Sequence, residues 1–88
     1  MESLEDLRKQ IDSVDKKILL LVAARVKIVR KIGQLKHEQK LPILDTTRIK
    51  EALSTRKLFG KSLGIPEDIT EKIYMLLHDL AIAIEKKQ

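Results

Sequence analysis

Apolar residues recur along the first part of the chain at alternating steps of three and four: Leu4, Leu7, Ile11, Val14, Ile18, Leu21, then Ile28, Ile32 and Leu35. That spacing keeps one face of an α-helix apolar and predicts a single long amphipathic helix from about residue 4 to about residue 38, roughly 50 Å from end to end. Ser3 followed by Asp6 is a capping-box-like start. Glu2, Glu5 and Asp6 sit at the positive end of the helix dipole, and Lys31, Lys36 and Lys40 near the negative end. Pro42 closes the segment. Asp45 is positioned to cap a second, short and polar helix over "TTRIKEALSTRKL", with Gly60 as its terminator. Pro66, followed by Glu67 and Asp68, suits the first turn of a third helix whose apolar stripe is Ile69, Ile73, Leu76, Leu80 and Ile84. No strand pattern competes, so the expected class is all-α: one long, one short and one medium helix.

A chain of 88 residues makes a single domain, residues 1–88, and buries only a thin core if it folds alone. Self-association is therefore expected. There is no cysteine, and His37 and His78 lie far apart without a ligand-spaced partner, so neither a disulfide framework nor a metal site is expected. The longest unbroken apolar run, Ile18 to Ala24, is too short to span a bilayer, and "MESLEDLRKQ" is charged where a signal peptide needs an apolar stretch. These features lead to an expectation of a cytoplasmic protein with no membrane partner. Lysine and arginine outnumber the acids by 18 to 13, a net charge of +5 that favours an anionic partner. Nucleic acid is disfavoured, because Phe59 and Tyr74 are the only aromatics and the basic residues are spread along the chain. A small anion fits the same charge.

One cation interrupts the stripe of the first helix. Counting back from Arg25 in sevens gives Ile18, Ile11 and Leu4, and counting forward gives Ile32, so Arg25 occupies an apolar-stripe position. Something must neutralise it. One reading is an ion pair with Asp12, Asp15 or a glutamate from another helix. The other is a ligand, and Lys36 adds to it: eleven residues is close to three turns, which puts Lys36 on the same face about 16 Å further along. Arg8 lies about 25 Å before Arg25 and roughly 100 degrees round the helix, so it cannot reach the same pocket from the same chain. An antiparallel helix from a second subunit could bring its own Arg8 there; taken alone, Arg8 reads as a surface cation. Arg48 falls in the first turn of the second helix, where backbone N–H groups favour anions, and reads otherwise as a surface arginine. On pattern alone Glu85 belongs to a frayed, solvated helix end, Asp45 is a cap, Tyr74 is core and His78 is surface.

Taken together, the start "LRKQIDSVDKKILLLVAAR", the "IGQLK" that closes the first helix, the "PILDTTR" that opens the second and a last helix ending in "AIAIEKKQ" resemble the all-helical class of chorismate mutases across nearly the whole chain. The resemblance implies an intertwined helical homodimer with two equivalent sites. It implies an isomerase that converts chorismate to prephenate by an intramolecular Claisen rearrangement, without a cofactor. By the same resemblance Arg25 and Arg48, with Arg8 from the other subunit, match arginines that clamp the substrate's two carboxylates, and Lys36 matches a lysine that donates to the ether oxygen. Asp45 matches a position whose backbone N–H meets the substrate hydroxyl, and Ala81 a small residue of the pocket wall.

Two departures stand out. Family members often carry glutamate directly after the second-helix arginine, where it accepts from the substrate hydroxyl; here the residue is Ile49. The last pocket position, commonly glutamine, falls on Glu85. Its carboxylate would repel the ether oxygen, so Glu85 is expected to act only when protonated. Two alternatives to the mutase remain at this level: an isochorismate pyruvate lyase of the same fold, and a basic helical module that binds a partner without chemistry.

Overall fold

Ser3 opens the first helix as its spacing predicts. Its hydroxyl accepts from the Asp6 N–H at 3.1 Å while the Asp6 carboxylate accepts from the Ser3 N–H at 3.3 Å. In the computed structural model, which describes residues 1–88, this helix is α1 (Leu4–Gln39), followed by α2 (Thr46–Ser62) and α3 (Glu67–Glu85). There are no strands. At the end of α1, Lys40 takes the left-handed conformation (φ 57°, ψ 38°) usually given to glycine, which lets the Leu41 N–H reach back to the Lys36 carbonyl at 2.8 Å. Asp45 caps α2 as expected, its side chain accepting from the Arg48 N–H at 3.0 Å.

The end of α2 departs from expectation. Gly60 does not terminate the helix; it lies inside it, buried against Thr70, where an added Cβ would stand 2.5 Å from the Thr70 hydroxyl. Its lack of a side chain serves a close helix crossing. The stop comes at Leu63 and Gly64, with Gly64 at φ 82° and the Ile65 and Gly64 N–H groups closing back onto the carbonyls of Gly60 and Lys61 at 2.9 and 3.0 Å. That is the double closure of a Schellman motif.

Helix α3 lies between the other two. It runs parallel to the C-terminal half of α1, with Arg25 meeting Leu77 and Gly33 meeting Glu85, and antiparallel to α2, with Gly60 meeting Thr70 and Lys61 meeting Glu67. Helices α1 and α2 do not pack on each other. The result is a slab of 58 × 24 × 14 Å with a radius of gyration of 16.4 Å, where a compact chain of this length measures about 12 Å.

The predicted stripes are not the chain's own core. Leu4, Leu7, Ile11, Val14, Ile18 and Leu21 are exposed, as are Ile69, Ile73, Leu76 and Leu80 on α3. Instead α1 packs on α3 through the neighbouring face, with Val22, Val26 and Val29 against Leu77, Ala81 and Ile84. Val29 and Ala81, 7% and 8% exposed, are the only buried apolar side chains, and no large side chain is fully enclosed. No helix is long and apolar enough to cross a membrane.

Candidate active site

A cavity of about 670 Å³ opens between the C-terminal half of α1, the connection before α2, and the facing sides of α2 and α3. Arg25, Lys36, Asp45, Arg48, Ala81 and Glu85 all line it. Arg8 does not: it lies on the free N-terminal half of α1, exposed along its whole length.

Arg25 is half-buried where α1 crosses α3, and its Nη1 donates to the Leu77 carbonyl at 3.1 Å. The ion pairs of the chain are Lys9–Glu5, Lys36–Glu85, Lys57–Glu71 and Lys61–Glu67. Arg25 is in none of them, so within the chain neither Asp12, Asp15 nor any other acid neutralises it. Asp12 and Asp15 lie on the exposed half of α1, before the helix meets α3. Arg48 is exposed at the cavity rim, its backbone N–H engaged by the Asp45 cap and its guanidinium free of any carboxylate. The cap consumes the Asp45 side chain and leaves that residue's own N–H unpaired.

Lys36 and Glu85 form the floor of the site. Their charged atoms are 2.7 Å apart, with only 6% of the Glu85 side chain and 22% of the Lys36 side chain exposed. Glu85 is thus a buried acid, not the frayed helix end that its pattern predicts. The contact is close but off the hydrogen-bonding directions, so Glu85 Oε1 has a countercharge without an aligned donor. The ammonium is fixed from a second side by the Ile43 carbonyl at 2.8 Å. Gly33, one turn before Lys36, makes the meeting of the two helices close: a Cβ there would lie 3.2 Å from both Cα and Cγ of Glu85. Ala81, buried one turn before Glu85, keeps that part of the wall small.

Four polar wall residues escaped the sequence reading, Thr46 beside the Asp45 cap among them. Tyr74 and His78 are half-buried and line the cavity, where core and surface were expected, and Arg56 joins them from α2. A signal for Arg56 was available, since it follows Arg48 at i+8 on one helical face. Ile49 also lines the cavity and provides no acid there. In all, four cations face two acids, one acid spent on a cap and the other on Lys36, which leaves an excess of two positive charges.

Fold and cavity define an all-helical protein with a pocket whose lining carries an excess of two positive charges. The family model for chorismate mutase type II matches residues 7–86. The chain is 38% identical over 73 residues to the T-protein of Haemophilus influenzae, covering 83% of this chain and 19% of that protein. It is 33% identical over 90 residues to the bifunctional chorismate mutase/prephenate dehydratase of Aquifex aeolicus, covering 99% of this chain and 25% of that protein. With the chorismate mutase of Methanocaldococcus jannaschii the identity is 31% over 87 residues, 99% of this chain and 88% of the relative. The chain belongs to the chorismate mutase type II family; it spans about a fifth to a quarter of the two longer relatives and most of the third.

Proposed function

We propose that residues 1–88 act as one chorismate mutase unit, converting chorismate to prephenate in a cytoplasmic homodimer. The observation that carries this reading is the convergence of Arg25, Lys36 and Arg48 on one cavity in which only the lysine has a carboxylate partner. Guanidinium groups without a carboxylate partner are suited to a dicarboxylate, which they can bind through charge-assisted N–H···O bonds.

The chemistry asks for nothing more. In the rearrangement the ether C–O bond breaks as a new C–C bond forms within the same molecule, so no acid, base, nucleophile or cofactor is consumed. The dianion must be held in a chair-like conformer, and Arg25 and Arg48 pinning its carboxylates would pre-organise it. As the C–O bond breaks, negative charge grows on the ether oxygen. Lys36, already fixed by Ile43 and Glu85, is aimed at that charge before it develops, and so stabilises the transition state more than the ground state. Glu85 donates to the same oxygen when protonated; ionised, it anchors Lys36.

The dimer is supported by what a lone chain leaves uncovered. The apolar stripe from Leu4 to Leu21 and that from Ile69 to Leu80 both face solvent in a single copy, and the slab is more extended than a self-sufficient domain. Burying the free half of α1 on a second subunit would cover both and carry Arg8 toward the other subunit's cavity. The test is a direct assay of chorismate consumption with product identification. Prephenate supports the reading. Salicylate and pyruvate from isochorismate, or no turnover with either substrate, would overturn it.

A further inference from the structure

The cavity has a second cationic end. Arg56 follows Arg48 by about two turns on the same face of α2, roughly 12 Å along the axis. Its guanidinium lies over the ring of Tyr74, 5.6 Å from the centroid, and Nη1 donates to the Ala52 carbonyl at 3.3 Å. One of its five donors is thereby used. The group is half-buried, lines the cavity, and has no carboxylate partner in the chain. The neighbouring cations of α2 behave differently: Lys57 and Lys61 turn to the outside and pair with Glu71 and Glu67 of α3, at 3.9 and 3.8 Å.

An arginine that merely packed its stem on apolar surface would carry its head out to water. Arg56 turns its head inward onto an aromatic face. A cation–π contact uses none of the guanidinium's N–H groups, so four of the five remain for a carboxylate.

We infer that Arg56, held by the face of Tyr74, is a further substrate-binding residue whose guanidinium receives a carboxylate of the dianion. The inference rests on the chorismate mutase reading above. Of the cavity's cations it is the one left without an assigned role, and it lies at the end of the cavity away from the Lys36–Glu85 pair.

The experiment uses the full chain, with chorismate in steady-state assays and a non-reacting bicyclic dicarboxylate shaped like the rearranging substrate in calorimetric titrations. Arg56→Gln is expected to raise both KM and the Kd of the dicarboxylate roughly tenfold or more, with kcat changed less. Arg56→Lys, which keeps the charge and loses the fork, falls between that variant and the wild type. Lys57→Gln removes the same charge from the outer face and leaves both constants within about twofold. Wild-type affinity in Arg56→Gln, or a loss no larger than that of Lys57→Gln, overturns the inference. So does a weaker dimer by sedimentation with dicarboxylate affinity unchanged, which would mean that Arg56 pairs with an acid of the second subunit. If Arg56→Gln fails to fold, Arg56→Lys decides the matter, wild-type Kd again overturning it. A wild type that neither binds the dicarboxylate nor consumes chorismate would instead sink the functional reading itself.

Discussion

Glu85 meets Lys36 at 2.7 Å across the junction of α3 and α1, a nearly dry contact between a helix end and a side chain one turn past Gly33. Removing one partner leaves the other charged and half or fully buried, so the pair cannot be dismantled one side at a time without consequence. The same pair closes the end of the cavity where the proposed reaction needs a donor.

Lys36→Ala should lower kcat/KM by at least about 10² to 10³, the usual effect of losing a donor aimed at developing charge, and Arg25→Ala, which releases a carboxylate of the dianion from its clamp, by at least about 10². Circular dichroism and sedimentation should still report a folded dimer. Near-normal turnover in either variant counts against the site.

Glu85→Gln puts an amide donor where the carboxylate stands and should keep turnover within about tenfold of the wild type, whereas Glu85→Ala, which opens the floor of the cavity and leaves the Lys36 ammonium without its countercharge, should lower kcat/KM by about 10² or more. Equal losses in the two variants would deny that a polar group at position 85 serves the reaction.

Gly33→Ala should reduce kcat several-fold with little change in the midpoint of thermal unfolding. The new methyl presses on the Glu85 backbone at 3.2 Å and shifts the end of α3 by a few tenths of an ångström, enough to misplace Glu85 against Lys36. Gly60→Ala is the comparison: its methyl would crowd Thr70 on the far side of α3 and should lower stability without a matching loss of kcat. Equal kinetic behaviour of the two alanine variants would deny Gly33 a positioning role.

Arg8 is the residue that a single chain cannot bring to its own cavity. In a twofold dimer with shared sites, Arg8→Ala and Arg25→Ala are each inactive alone. Unfolding and refolding them together makes mixed dimers in which one site carries both wild-type arginines. Random pairing should restore about a quarter of wild-type activity. No recovery would mean that Arg8 and Arg25 do not act in one site from different subunits.

Lys40→Gly should stabilise the chain by up to about 1 kcal/mol, measured as a higher denaturant midpoint. It relieves a left-handed lysine (φ 57°) at the end of α1 and loses part of the gain to the freer unfolded backbone. Unchanged or lower stability would show that Lys40 bears no strain.

The three helices and their order are written locally. Ser3 with Asp6, Asp45 with the Arg48 N–H, and the apolar spacing act over a few residues, so reading the chain in sequence recovers them. Gly60 marks the limit of such reading. A glycine ends a helix or admits a close crossing, and here the choice was made by Thr70, which α3 brings up from the next segment.

The same limit governs the site. Periodicity reveals that a face of α1 is apolar and that Arg25 interrupts it, but not what covers the face; within one chain α3 takes the adjacent strip of Val22, Val26 and Val29 and leaves the longer stripe bare. Arg25 and Lys36 could be nominated from residue type and helical position, which are properties of the chain itself, whereas Asp45, Arg48, Ala81 and Glu85 are nominated only through the resemblance of their motifs to a known family. The burial of Glu85 beside Lys36, the inward turn of Arg56 onto Tyr74 and the presence of His78 on the wall depend on helices packed side by side. Electrostatic environment is a property of neighbours in space, and those neighbours exist only once α1, α2 and α3 have come together.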